Sequence, residues 1–393
     1  MLGPMFLTHL ECTACEGSFS PLGLPRACPD CQAPLAARYD LEAAGAALDR
    51  STYASRPGRL WDLAEVLPLA DPSHAVTLGE GGTPLLELPR LAAELGVARL
   101  TYKDEGQNPT GSFKARGLSV AVTMAKAGGA TALAVPSAGN AGGALAAYGA
   151  RAGLPVVLAM PQDVPAANRI EAEVTGAEVH LLPGTIADCG RWIRERAAEH
   201  GWFDLSTLAE PYRVEGKKTM GFELACQLGW TLPDVLLYPT GGGTGLVGIW
   251  KAFDEMEAMG WLPKGAPRPR MIAVQAAGCA PMVEAWASGA EHATAPANPH
   301  TCAAGLRVPT PKGDRWMLDV LRSSHGRAIA IEDEHLLAST RRLGRSEGLF
   351  GAPEVGALVA ALATLRAEDH IGHNEHVALI ATGAGHKYLE CFG

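Results

Sequence analysis

Hydrophobic and polar positions follow two alternating rhythms along most of this chain. Short β-like runs at Leu100-Thr101-Tyr102-Lys103, Ala132-Leu133-Ala134-Val135, Pro155-Val156-Val157-Leu158-Ala159 and Glu178-Val179-His180-Leu181-Leu182 predict strands. Each is followed by a stretch with helical spacing of apolar residues, which predicts helices over 112–127, 140–151, 165–175 and 185–200. A second series places Val235-Leu236-Leu237-Tyr238-Pro239 before a glycine loop, Met271-Ile272-Ala273-Val274 after a linker, and His376-Val377-Ala378-Leu379-Ile380 near the end. Such a βα repeat implies an α/β chain with two parallel-sheet domains flanking a cleft. Residues 40–75, rich in Ala, Leu, Asp and Pro, predict a linker with short helices leading into Gly79-Glu80-Gly81-Gly82-Thr83-Pro84-Leu85.

Composition narrows the class. The chain has 393 residues, 47% of them hydrophobic, 19% charged and 46 of them glycine, which suits an α/β enzyme with many tight turns. A net charge of −9 and the lack of a long Lys/Arg run argue against nucleic acid as a partner. Met1 to Leu10 lacks a basic segment followed by a long apolar one, and no window reaches membrane-spanning length, so no membrane association and a cytoplasmic location are expected.

Four of nine cysteines, Cys12, Cys15, Cys28 and Cys31, form two C-x2-C pairs twelve residues apart, with Gly17 and Pro29 expected to turn the two knuckles. Four thiolates so spaced point to a zinc ribbon, whose closed coordination would make the metal structural; a ribbon without metal is the alternative. Cys189, Cys226, Cys279, Cys302 and Cys391 are scattered, so disulfides are not expected.

Ligands of parallel sheets bind beyond the carboxyl ends of the strands. In the run Asn108-Pro109-Thr110-Gly111-Ser112-Phe113-Lys114, a turn hands the chain to a helix whose first turn carries Lys114. The positive end of the helix dipole favours the neutral amine that attacks an aldehyde, although a capped, solvated surface helix gives the same pattern. Ser112 is expected to cap this helix, or to touch cofactor or substrate. Thr240-Gly241-Gly242-Gly243-Thr244-Gly245 can turn backbone N–H groups and two hydroxyls onto a phosphate, but lacks the spacing of a P-loop or a dinucleotide site. Ser137-Ala138-Gly139-Asn140 can grip a carboxylate while the Asn140 amide reaches a phenolic oxygen; a simple helix cap by Ser137 or Asn140 is the other reading. Thr382, after the last strand, can offer a hydroxyl to the cleft. An amine, a phosphate cup, an amide for a ring hydroxyl, a hydroxyl for a ring nitrogen and a carboxylate turn together describe pyridoxal phosphate.

At these residues the chain resembles the fold-type II pyridoxal-phosphate enzymes, the tryptophan synthase β-like group, and within it the threonine synthases. The resemblance runs nearly the full length: the cysteine ribbon, Lys103-Asp104-Glu105-Gly106, Asn108 to Gly117, Ser137 to Asn140, Pro211 to Thr219, Thr240 to Gly245, Glu347-Gly348 and Thr382-Gly383. It implies two three-layer parallel-sheet domains: a large cofactor domain over 51–111 and 201–393 and a small mobile domain over 112–200, behind a ribbon-like segment 1–50. It further implies Lys114 as Schiff-base lysine, Asn140 at the cofactor 3-hydroxyl, Gly241, Gly242, Gly243 and Thr244 at its phosphate, Thr382 at its pyridine nitrogen, and a homodimer. Ser112, Ser137, Ala138 and Gly139 are the expected substrate contacts.

The activity so implied converts O-phospho-L-homoserine and water to L-threonine and phosphate. Asn168, Arg169, Lys217, Lys218 and Lys387 are unranked candidates for a second phosphate site, with solvated surface charges as the alternative. Two departures stand out: Ala115 where threonine synthases usually carry Asp, and Thr382-Gly383-Ala384-Gly385-His386-Lys387 where they read Thr-Gly-His-Gly-Leu-Lys. They leave open a serine or threonine dehydratase, or a β-replacement enzyme such as a cysteate synthase. A zinc-ribbon interaction protein that has lost activity is the non-enzymatic alternative. Glu347 is a candidate near the cofactor ring or an ordinary helix-terminal acid. His300 and Cys302 fall in a Pro-rich stretch, 296–309, expected as a mobile loop beside the cleft rather than a metal site.

Overall fold

The computed structural model describes residues 6–393. The chain opens with a small antiparallel sheet in which β1 (Leu7–Cys12) lies between β2 (Ser18–Phe19) and β3 (Leu35–Tyr39). The two cysteine pairs sit on the turns flanking this sheet. Glu16 and Gln32, at φ 59° and 63°, take the left-handed positions; Pro29 lies within the second knuckle's turn, closed by the Gln32 N–H on the Cys28 carbonyl at 2.9 Å, as expected, whereas Gly17 follows the first turn, which the Glu16 N–H closes on the Cys12 carbonyl. Helices α1 (Leu41–Ala47) and α2 (Arg50–Ser55) and short 3-10 turns fill the linker, as its composition predicts. Asp49 caps α2 by accepting from the Ser51 and Thr52 N–H groups.

The body holds a six-stranded sheet in the order β12 (Arg327–Ile331), β11 (Arg270–Ala276), β10 (Val235–Pro239), β13 (His376–Ala381), β5 (Arg99–Asp104), β4 (Leu85–Glu87). All its pairings are parallel except that of the edge strand β4. β10 is buried at every residue, as a central strand covered on both faces must be. A second, wholly parallel sheet runs β8 (Glu178–Leu182), β7 (Val156–Pro161), β6 (Leu133–Pro136), β9 (Phe203–Asp204). Its last strand lies beyond residue 200.

Helices α3 (Pro89–Leu95), α4 (Lys114–Ala127), α5 (Asn140–Ala152), α6 (Ala166–Val174) and α7 (Ile186–His200) are followed by α8 (Tyr212–Gln227), α9 (Thr244–Ala258), α10 (Pro281–Ser288), α11 (Asp314–Ser323), α12 (Asp333–Glu347) and α13 (Pro353–Ala367). No helix of the described residues is long and apolar enough to cross a membrane.

One apolar core runs from the ribbon (Leu10, Leu35) through α9 (Phe253, Met256) to the second sheet (Leu133, Leu158). The ribbon is thus part of the body's packing. Its strand β3 ends on Tyr39, whose hydroxyl donates to Glu215 at 2.8 Å. Glu215 also accepts from Lys218 at 2.6 Å and Lys251 at 3.1 Å, and both lysines meet Glu255. Two carboxylates and two ammonium groups so share one buried cluster on α8 and α9, and their mutual compensation is what makes that burial tolerable.

Helix α8 is buried almost end to end despite carrying Arg213, Glu215, Lys217, Lys218 and Glu223. A second network joins it to α4: Arg116 donates to Glu105 at 2.6 and 2.8 Å and to Glu223 at 2.5 and 2.8 Å, and Lys103 reaches Glu223 at 2.8 Å. The helices can approach this closely because Gly216 has no side chain; a Cβ there would stand 2.1 Å from the Arg116 carbonyl oxygen.

Candidate active site

Three neighbouring strands of the large sheet, β10, β13 and β5, send their carboxyl-end loops to one cleft, and β6 of the second sheet sends a fourth. The cleft is lined by Lys114 and Phe113 from the loop after β5, Gly241 to Thr244 after β10, Thr382 and Gly383 after β13, and Asn140 after β6. Two main-chain contacts join the first and third loops: Phe113 N–H donates to Thr382 O at 3.0 Å, and Ala384 N–H to Gly111 O at 3.0 Å. They place Lys114 beside Thr382 without any side chain being needed.

Lys114 is the first residue of α4. Its nitrogen lies 4.4 Å from the centre of the Phe113 ring. Its pKa is lowered to about 7, chiefly by burial, with the Arg213 guanidinium acting in the same direction and Glu354 opposing both. Removal from water, more than the helix dipole, is therefore what frees the amine. Ser112 does not cap α4: the cap position is Phe113, and the only contact is a long 3.4 Å one from the Lys114 N–H to Ser112 Oγ.

The glycine turn begins α9. Gly243, at φ 73°, occupies the left-handed region, and a Cβ on it would lie 1.9 Å from Met317 Sδ; one on Gly241 would lie 2.3 Å from Gly305 O. Among the described residues no acceptor takes the N–H groups of Gly241, Gly242, Gly243 or Thr244. Four unspent donors at a helix N-terminus suit a phosphate. Thr240 does not join them, because its hydroxyl donates to Tyr238 O at 2.9 Å, so Thr244 alone of the two threonines faces the cleft.

At the start of α5, Ser137 Oγ accepts from Gly142 N–H at 2.8 Å and Gly139 N–H at 3.3 Å, which makes Ser137 the cap of that turn while Gly139 holds the cap position. The N–H groups of Ala138, Asn140 and Ala141 have no acceptor among the described residues. Asn140 donates through Nδ2 to the Tyr388 hydroxyl at 3.2 Å, while its buried Oδ1 is unpartnered. Ser112, Ser137, Ala138 and Gly139 lie next to the cleft-lining residues rather than among them. An amine freed by burial, an unsatisfied phosphate turn and an orphaned amide oxygen in one cleft fit pyridoxal phosphate.

Other candidates lie elsewhere. Arg169 pairs with Glu173 on the surface at 3.0 Å, Lys218 belongs to the buried cluster with Glu215, and Lys217 is spent on the Phe113 carbonyl. Asn168 is buried with neither amide atom partnered, and Lys387 binds Glu171 at 2.6 Å. Glu347 ends α12 and accepts from the Leu91 N–H at 2.7 Å, away from the cleft. The stretch 296–309 does border the cleft, through Gly305, Leu306 and Val308 instead of His300 or Cys302.

Sequence reasoning missed Glu354, Tyr388, Arg213 and Thr207. Pro353-Glu354 reads as an ordinary helix start, and nothing local to Tyr388 or Arg213 signals a cleft. In the ribbon, the Cys12, Cys15, Cys28 and Cys31 sulfurs all lie within 4.8 Å of one another, with the Cys12–Cys31 and Cys15–Cys28 pairs at 3.4 and 3.7 Å. Tetrahedral zinc with bonds of about 2.3 Å needs sulfurs roughly this far apart.

Comparison with known proteins agrees with this chemistry. The family described as pyridoxal-phosphate dependent enzyme matches residues 76–383. A threonine synthase of Methanosarcina acetivorans is 36% identical over 376 residues, covering 95% of this chain and 91% of that one. The threonine synthase of Methanocaldococcus jannaschii is 35% identical, covering 91% and 88%. Among solved structures, maize serine racemase superposes with a TM-score of 0.66 at 20% identity over 77% of this chain and 88% of that one, a likeness of fold alone. Threonine deaminase isoform 2 of Solanum lycopersicum gives 0.65 at 21% over 79% and 82%. With the cleft chemistry, the two-sheet fold and the match over most of its length in agreement, this chain belongs to the pyridoxal-phosphate-dependent enzymes of fold type II.

Proposed function

We propose that the protein is a threonine synthase, converting O-phospho-L-homoserine and water to L-threonine and phosphate by elimination at Cγ and addition of water at Cβ. The observation that carries this reading is the gathering of Lys114, Asn140, the Gly241–Thr244 turn and Thr382 in one cleft of a chain whose relatives over nearly its whole length are threonine synthases. Pyridoxal phosphate, when bound, draws electrons from the carbon bearing the substrate's amino group.

The chain's own residues do the rest. The N–H groups of Gly241 to Thr244 hold the cofactor phosphate, and the free N–H groups of the Ser137–Ala141 turn hold the substrate carboxylate. Lys114 Nζ, mostly neutral above about pH 7, takes a proton from the substrate and returns it. Thr382 offers a hydroxyl, not a carboxylate, to the ring nitrogen, which favours a milder electron sink. Asn168, buried with neither amide atom partnered, is the candidate left for the leaving phosphate, since Lys387 is held by Glu171 and the other three are engaged elsewhere.

We read 112–200 as a small domain that closes on the cleft. The pairs Asp163–Arg307 at 2.8 Å and Glu171–Lys387 at 2.6 Å run from this segment to the body and suit a latch. The four ribbon cysteines hold a structural zinc, and nine cysteines without a disulfide among them suit a reducing, cytoplasmic setting. The assembly is read as a homodimer on the family resemblance.

Ala115, buried behind Lys114, supports a second reading in which the same cofactor acts on serine or threonine, or in a β-replacement. Phosphate release from O-phosphohomoserine with threonine detected as product, run beside Lys114→Ala and with L-serine and L-threonine offered instead, separates the two. Lys114-dependent threonine formation supports the synthase. Turnover of L-serine or L-threonine with phosphohomoserine inert supports the second reading.

A further inference from the structure

Between the ribbon and the body lies a second cavity, of about 580 Å³, that the reaction does not use. Thr13, Ala14 and residues 31–34 form its ribbon side, and His292, Ala293 and residues 310–316 its body side. None of these residues lines the cleft. The volume falls within the range of pockets that hold small organic molecules.

The walls combine apolar surface with unpaired positive charge. Ala14, Ala33, Pro34, Pro311 and the half-buried Trp316 supply the apolar part, with the indole as its flat face. Asp314 is the single acid among the lining residues, and it is already engaged. Its Oδ2 accepts from the Ala293 N–H at 2.9 Å and faces His292 Nδ1 at 3.2 Å, while its Oδ1 accepts from the Arg315 N–H at 2.7 Å. The exposed side chains of Lys312 and Arg315 have no hydrogen-bond or ion-pair partner among the described residues. Burial lowers the Lys312 pKa; Asp204 opposes this, and Arg194 and Arg26 act with burial. Asp204 itself accepts from the Ser206 N–H at 2.9 Å. In a chain of net charge −9, Lys312 thus sits among like charges, a repulsion that an anion would relieve. Phosphate and carboxylate groups suit free Lys and Arg, and a flat ring suits an indole.

We propose that this cavity is a binding site for a small organic anion carrying a flat ring, with its phosphate or carboxylate group on Lys312 and Arg315 and its ring against Trp316. The site is separate from the cleft and does not depend on what the cleft binds. The two are nevertheless linked through the chain. Met317, next to Trp316, packs its sulfur against Gly243 of the phosphate turn, and Gly313 packs on Leu208, the neighbour of the cleft residue Thr207. An occupant that shifts the start of α11 therefore moves a contact of the phosphate turn.

Isothermal titration calorimetry tests the site on holoenzyme whose cofactor has been fixed by borohydride reduction, so that the cleft stays filled. AMP is the phosphate probe and indole-3-acetate the carboxylate probe; inorganic phosphate and adenosine supply each half of AMP alone. Saturable binding of AMP or indole-3-acetate at one site per chain is expected, and inorganic phosphate and adenosine should bind at least about tenfold more weakly than the better probe, since each lacks one of the two contacts. Lys312→Ala combined with Arg315→Ala should weaken that probe by at least about tenfold, leaving the cofactor absorbance and melting temperature unchanged because both side chains are exposed. No saturable binding of either probe overturns the proposal, as does binding that the double variant retains in full. Inorganic phosphate binding as tightly as the better probe overturns it too, because the ring then contributes nothing. For the link to the cleft, pyridoxal phosphate is titrated into apoprotein with and without the better probe, and its dissociation constant should change by at least about fivefold in wild type and not in the double variant. Equal constants overturn the link, and so does a change that the double variant keeps, which marks competition inside the cleft.

Discussion

Lys217 Nζ donates to the carbonyl oxygen of Phe113, the residue immediately before Lys114, and lies 4.3 Å from the centre of the Phe113 ring. A buried lysine on α8 thus holds the turn from which α4 starts. The neighbouring cations Lys114 and Arg213 and the loss of water push its pKa well down, with desolvation the larger cause. Lys217→Met leaves the Phe113 carbonyl without that donor, and urea unfolding should show a loss of about 1–3 kcal/mol. Cofactor affinity should fall with it, read by titrating the apoprotein with pyridoxal phosphate.

Lys114 should set the pH dependence of cofactor capture. With its pKa near 7, the reactive neutral amine predominates above that value and is lost as pH falls below it. The rate at which apoprotein takes up pyridoxal phosphate should accordingly drop about tenfold for each unit below pH 7, in stopped-flow absorbance. Arg213→Leu removes a cation that depresses this pKa, so the profile should move to higher pH. A profile moved to lower pH contradicts the assignment.

Gly243→Ala tests the phosphate turn. The new methyl group must enter the space of Met317 and adopt a left-handed backbone. Cofactor affinity should fall by at least about tenfold, the equivalent of 1.4 kcal/mol. Gly260→Ala is also left-handed but opens onto free space, and should leave cofactor affinity unchanged while costing some stability.

The two classes of ion pair should separate cleanly on mutation. Glu223→Ala strands Arg116 and Lys103 in the interior and should cost about 3–5 kcal/mol by denaturant unfolding. Glu94→Ala removes the exposed partner of Arg342 and should cost under about 1 kcal/mol.

Elemental analysis should find one zinc per chain, and Cys28→Ser should abolish it. Because the ribbon shares the body's core and Tyr39 joins the Glu215 cluster, metal loss should lower the melting temperature of the whole protein. The cofactor spectrum should be unaffected, since four protein ligands leave the metal no open position.

Much of the fold could be read locally. The strand at Val235–Pro239 was bounded correctly because five buried residues between a proline-aspartate turn and a glycine loop leave little choice of period. Lys114, Asn140, the glycine turn and Thr382 were legible for a related reason: small residues between a strand and a helix mark backbone brought close to a ligand. The cap of α4 and the hydroxyl of Thr240 were read less well. Both depended on which backbone group each hydroxyl would find, and several were within reach.

What the sequence determined by itself was therefore the alternation of strands and helices from Leu100 to His200, three later strands, the cysteine ribbon and the set of loops bearing chemistry, because each is encoded by neighbours a few residues apart. The tertiary structure decided the rest. Arg213 lowers the pKa of Lys114, Lys217 donates to the Phe113 carbonyl, and Tyr388 accepts from Asn140 across 248 residues of chain. The charges of α8, indistinguishable in sequence from a solvated face, are buried because their partners arrive from α4, α9 and the ribbon. A charge's environment is a property of everything packed against it, and no local pattern records that.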